Sequence, residues 1–199
     1  MDVLDPTAPS DRAGSAARRG VRTMIAALIP DAEPLVGAFR AQLDPTARRG
    51  LGAHVTLVYP FVEPAAVAGA TVAALRDTVA AVPAFTCTFG ELRWFGDKVL
   101  WLAPDAVAAF GEISERIRAA FPELLVDDRP FVPHLTVGLR RAASSRALRA
   151  AEAALAPRLP LTVRVDRVVL MVRTDTWDVG AEALLSPSAP PGPGSPGWP

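Results

Sequence analysis

The chain has 199 residues, half of them apolar, which is material for the core of one domain of ordinary size. Its 21 basic and 21 acidic residues cancel, which argues against coating long nucleic acid by bulk charge but leaves room for a local basic pocket. With one cysteine, Cys87, and two histidines, His54 and His134, it has neither an internal disulfide nor a site of three or four histidines; a zinc site would need carboxylates.

Residues 1–20 lack periodicity and read as a flexible leader. Thr23–Ile29 is an apolar run ended by Pro30, a strand. Asp31 is placed to cap a helix whose apolar face carries Leu35, Val36, Phe39 and Leu43. His54–Tyr59 reads as a strand stopped by Pro60, and Val67–Val82 as an alanine-rich helix ended by Pro83. Phe85–Trp94 and Lys98–Leu102 form a predicted hairpin around Gly96-Asp97. Asp105 caps the next helix, in which Phe110, Ile113, Ile117 and Phe121 share a face. A strand over Val132–Leu139, a helix over Ser145–Ala156 and strands over Leu161–Val172 and Val179–Leu185 complete the body. From Ser186 the chain is almost wholly Pro, Gly and Ser and reads as a disordered tail containing Trp198. The body, residues 21–185, is one domain by length.

No stretch reaches the roughly 18 apolar residues of a membrane span. Asp2, Asp5 and Asp11 interrupt any secretory pattern. The expectation is a cytoplasmic protein with no membrane partner, and a monomer, since no apolar interface pattern is left over.

The body also repeats itself. Residues 26–43 and 100–118 each read as an apolar strand, a Pro-Asp helix start and an amphipathic helix, and each is followed after a loop by a strand carrying His-x-Thr. Convergence is the plain explanation, because Pro-Asp helix starts are common. The matching placement of His-x-Thr favours duplication, with two lobes related by a pseudo-twofold axis.

Both histidines of the chain lie in this context, as His54-Val55-Thr56 and His134-Leu135-Thr136, in a sequence with only 12 threonines. In a strand, side chains two apart point to one face. Each strand therefore shows an imidazole and a hydroxyl on one side and apolar residues on the other. This arrangement suits phosphoryl transfer without a metal. One neutral histidine takes a proton from the nucleophile, and the other, protonated, gives one to the leaving oxygen. The threonine hydroxyls, Thr56 and Thr136, donate to the non-bridging phosphate oxygens. Activity is then bell-shaped in pH.

The motif pair, with the strings HVTLVYPF and FVPHLTVGL, resembles the two-histidine (2H) phosphoesterase superfamily and within it the 2′-5′ RNA ligase family. The resemblance implies a bilobal α+β fold, with two antiparallel sheets facing a central cleft and helices outside. It implies opening of 2′,3′-cyclic phosphates of RNA ends or cyclic nucleotides to 2′-phosphates, in some members with reversible 2′-5′ joining. The family's catalytic residues fall on His54, Thr56, His134 and Thr136, and no cofactor or metal is carried over.

Around these, Arg140 shares the His134 face in an even alternation and is a candidate for steering the phosphate, while Phe61 is a candidate base-stacking aromatic. Arg48 and Arg49 read as solvated loop residues, and Tyr59 falls on the face opposite His54 if its strand is regular. Trp94, Trp101 and Trp177 read as core or rim, and Cys87 as a small buried hydrophobe. The competing readings are a module that binds a nucleotide or RNA end without reacting, another phosphodiester substrate, a metal hydrolase, and two purely structural histidines.

Overall fold

The computed structural model describes residues 23–124 and 130–187. The leader over 1–20 and the part of the tail that holds Trp198 lie outside these residues. Ser186, the first residue assigned to the tail, belongs to the fold: its N–H donates to the Val82 carbonyl at 2.9 Å and its carbonyl accepts from Ala84 at 2.8 Å.

The strands are β1 (Thr23–Leu28), β2 (His54–Val58), β3 (Phe85–Phe95), β4 (Val99–Pro104), β5 (Leu135–Leu139), β6 (Leu161–Val165), β7 (Arg167–Arg173) and β8 (Trp177–Leu184). The helices are α1 (Glu33–Leu43), α2 (Gly69–Val79), α3 (Val107–Ala120) and α4 (Ser145–Leu155). The fold is α+β with antiparallel pairing between the strands, in the order β6-β3-β4-β5-β2-β1-β7-β8. The two sheets expected from the resemblance are the halves of this one eight-stranded sheet, joined at its middle by a single register pair, Val55 with Leu135. The two His-x-Thr strands are thus the central neighbours, and β1-α1-β2 and β4-α3-β5 take corresponding places on either side.

The run read as one strand over Leu161–Val172 is two. Val163 and Val165 are buried at period two, but the next buried residue is Val168, three places on. That odd step, at Asp166-Arg167, breaks the alternation a single half-buried strand requires. β6 therefore ends on β3 at one edge of the sheet, while β7 pairs with β1 in the other half. Only Asp166 lies between them, and consecutive Cα atoms are about 3.8 Å apart. The sheet is consequently curled, bringing its halves together at this corner.

All four helices contribute to the main core on one face of the sheet: Val36 and Leu43 from α1, Leu75 and Val79 from α2, Phe110, Ile113 and Ile117 from α3, Leu148 and Leu155 from α4. Val55, Leu57, Leu135 and Val137 meet them there. α1 packs on β5 and α3 on β2, so each unit's helix lies over the other unit's motif strand. Neither Asp31 nor Asp105 caps its helix through its side chain; the Asp105 carboxylate accepts from the Thr88 N–H instead. Ser144 does cap α4, accepting from the Ala147 N–H at 3.1 Å. Cys87 is buried, and burial pushes its thiol up to about 11, consistent with an inert core residue. No helix among the described residues is long and apolar enough to cross a membrane.

Candidate active site

The face of the sheet turned away from the helices holds both motifs. His54 opens β2 and His134 stands immediately before β5. The register pairs His54 with Leu28, Thr56 with Ala26 and Thr136 with Trp101. Paired residues share a face, so both imidazoles and both threonines lie on one side, as the alternation predicts.

Each motif strand then carries the same irregularity. In β2 the register jumps from Thr56 to Val58, leaving Leu57 as the extra residue; in β5 it jumps from Thr136 to Gly138, leaving Val137. Such a bulge breaks the ladder and reverses the alternation beyond it. Backbone groups that lose ladder partners must find others. Ser114 of α3 donates its hydroxyl proton to the Leu57 carbonyl at 2.8 Å, and Arg40 of α1 donates from Nε to the Thr136 carbonyl at 3.1 Å.

The bulges correct two sequence assignments, Arg140 and Tyr59, and packing beyond the strand corrects a third, Phe61. Leu139, not Arg140, takes the His134 face, where it packs against the Phe95–Trp101 cluster. Arg140 is exposed at the strand end, its guanidinium 3.4 Å from the Ala143 carbonyl, so it does not share the His134 face. Tyr59 comes onto the His54 face rather than the opposite one; it is 52% exposed and meets Trp177 edge-on, with ring centroids 6.4 Å apart. Phe61 is only 3% exposed and packs edge-on against Phe121 in the main core, so it presents no ring to a base. Arg48 and Arg49 are exposed in the turn before β2, as read.

The imidazoles are held alike. His54 Nδ1 lies 2.8 Å from the Gly52 carbonyl and His134 Nδ1 lies 2.7 Å from the Val132 carbonyl. A carbonyl only accepts, so each Nδ1 carries a proton and Nε2 is the nitrogen that titrates. Their surroundings differ. His54 is buried at 9% exposure. Burial first, then the charge of Arg40, push its imidazole down to about 4 against the opposing effects of the Gly52 carbonyl and Asp44, with His134 adding the least. His134 is half-buried beside two stacked rings: Phe95 and Trp101 lie 4.6 Å apart, and both meet it edge-on, at 4.9 and 5.8 Å.

Behind the motifs lies a buried polar group that the sequence reading missed. Arg40 occupies a core position of α1 between Val36 and Leu43. Its guanidinium bonds Asp44 at 3.0 Å and lies 3.7 Å from Glu33. Asp44 is buried too, its second oxygen accepting from the Thr46 N–H and hydroxyl. The Glu33 carboxylate accepts from the N–H of Ala53, the residue just before His54. A charged residue inside an apolar i, i+4, i+7 stripe was the signal that could have found it. Among the described residues no three His, Cys, Asp or Glu side chains form a metal-ligand set.

The family model described as the 2′-5′ RNA ligase superfamily matches residues 29–177. No curated protein gives a sequence match. Among solved structures, the fold is similar to TT0787 of Thermus thermophilus, at TM-score 0.62 and 19% identity, covering 84% of this chain and 100% of that one. It is also similar to E. coli LigT complexed with 3′-AMP, at TM-score 0.56 and 19% identity, covering 82% of this chain and 97% of that one. E. coli LigT complexed with ATP gives TM-score 0.52 at 19% identity, covering 83% and 98%.

Proposed function

The chain belongs to the 2′-5′ RNA ligase superfamily, and from that membership we propose that it is a metal-independent phosphoesterase that opens 2′,3′-cyclic phosphate ends of RNA or nucleotides to 2′-phosphates. The observation that carries the proposal is the pair of imidazoles on one sheet face, each with its proton on Nδ1 held by the carbonyl two residues back.

His54, kept neutral by burial and by Arg40, takes the proton of an attacking water at Nε2. The water oxygen bonds to phosphorus as the bond to the 3′ oxygen breaks. His134, protonated, gives its Nε2 proton to that departing oxygen. Thr56 and Thr136 donate to the non-bridging oxygens, where charge builds. The product is a 2′-phosphate beside a 3′-hydroxyl. With a 5′-hydroxyl in place of water, the same steps form a 2′-5′ linkage.

Exposed Tyr59, beside Trp177, replaces Phe61 as the aromatic for a nucleobase, and Arg173 completes this rim with its guanidinium 5.9 Å from the Trp177 ring centre. The E. coli LigT structures hold 3′-AMP, ATP and NADP+, which supports a nucleotide or an RNA end as the substrate class. The test is turnover of a short RNA ending in a 2′,3′-cyclic phosphate, in EDTA, with the position of the product's phosphate resolved. A 2′-phosphate is the expected product. No turnover, or turnover only with added metal, would overturn the proposal.

A further inference from the structure

The peptide joining Gly52 to Ala53 is bonded at both ends. Its carbonyl accepts from His54 Nδ1 at 2.8 Å, and its N–H donates to Glu33. A carboxylate, a peptide and an imidazole thus form one chain of hydrogen bonds, each polarising the next. The site is shaped for that carboxylate. A Cβ at Gly37, one turn along α1, would come within 2.7 Å of Glu33 Oε2, and a Cβ at Gly52 within 3.2 Å of Oε1. Arg40 lies 3.7 Å from the same carboxylate and bonds the Thr136 carbonyl of the other motif.

We propose that Glu33 is a positioning residue for His54, acting through the Gly52–Ala53 peptide to hold the ring's proton on Nδ1. The inference rests on reading His54 as a reacting group. A carboxylate accepting at the far end makes the Gly52 carbonyl a better acceptor and fixes its plane. That orients the ring and keeps Nε2 as the proton acceptor. The second motif has no counterpart: its matching peptide joins Val132 to Pro133, which has no N–H to offer a carboxylate. The charged groups set around His54 are Glu33 and, behind it, Arg40 and Asp44, with His134 across the face.

The experiment uses the full chain, wild type and two variants, Glu33→Ala and Gly37→Ala. Kinetics are measured on the cyclic-phosphate RNA, and the imidazole 15N resonances are followed. With only two histidines the rings are assigned by a His134→Gln sample. Glu33→Ala is expected to lower kcat by about tenfold or more, the scale of an outer partner that orients a histidine, with KM unchanged. The His54 nitrogens move toward a mixture of tautomers while those of His134 stay in place. Gly37→Ala leaves the glutamate in place but its methyl crowds Glu33 Oε2, so the carboxylate is displaced and kcat falls as well. His54 nitrogens unmoved in Glu33→Ala, or both rings moving alike, would overturn the inference, as would full kcat in Gly37→Ala. The imidazole spectra need no substrate, so failure of the cyclic-phosphate reading and failure of this inference are read separately.

Discussion

His54 and His134 stand at the heads of two strands built to one plan. Each precedes a threonine by two places, holds its Nδ1 proton on the carbonyl two residues back, and is followed by a one-residue bulge. A helix from the opposite unit satisfies a carbonyl at each bulge. The plan is shared but the surroundings are not. His54 is buried, with a carboxylate, a guanidinium and a second carboxylate arranged behind it. His134 is half-buried against Phe95 and Trp101. Two strands of one local design therefore hold their imidazoles in different surroundings, and on the proposed mechanism that difference makes His54 the neutral ring.

The largest effects should come from removing either ring. His54→Ala and His134→Ala are each expected to lower kcat/KM about 10²–10⁴-fold, the usual contribution of one acid or base, with circular dichroism and Tm showing the fold intact. Near wild-type rates in either variant would dissolve the pair.

The next effect separates the two rings by stability. The folded protein holds His54 down to about 4, whereas an unfolded histidine takes its proton near 6.5. This stabilisation is fully present above about pH 6.5 and is lost as pH falls toward about 4, amounting to about 3 kcal/mol. Denaturant titrations over that range should show the loss in wild type and not in His54→Gln. Arg40→Met should shrink it, because removing that charge raises the His54 value. A slope unchanged in His54→Gln would place the asymmetry elsewhere.

The threonines test what the strands share. Thr56→Ala and Thr136→Ala should each cost about 2–4 kcal/mol of transition-state stabilisation in kcat/KM, as for loss of one donor to a developing oxyanion. A loss in only one of them would show that the phosphate sits on one strand.

The smallest effect concerns the rim. Tyr59→Ala should weaken nucleotide binding by about 1–3 kcal/mol, the worth of one stacked base, measured by calorimetry. Arg140→Ala should leave KM at its wild-type value. The reverse outcome would mean that the alternation runs evenly through the bulges.

The sequence made the motif faces legible because strict alternation holds from each histidine to the threonine two places on, His54 to Thr56 and His134 to Thr136, ahead of either bulge. Arg140 and Tyr59 lie beyond the bulges, where parity reverses, and nothing in VTLVY or LTVGL announces the extra residue. Phe61 lies after Pro60, outside the strand, where alternation says nothing about burial. The division of Leu161–Val172 was written in the odd step from Val165 to Val168, but valines on both sides of Asp166-Arg167 mask it. Glu33 and Arg40 were hidden for another reason. Their partners include main-chain groups distant in the sequence, Ala53 and Thr136, and only the packing of α1 against the sheet brings them there.

The proposed mechanism divides the labour: His54 accepts the nucleophile's proton and His134 protonates the leaving 3′ oxygen. It is tested most directly with a cyclic substrate carrying sulfur in place of that 3′ oxygen, since a thiolate leaves without protonation. Release of the 3′-thiol would be followed for wild type, His54→Ala and His134→Ala. Sulfur is expected to restore His134→Ala close to the wild-type rate and to leave His54→Ala slow. Rescue of His54→Ala instead, or of neither variant, would contradict this division of labour.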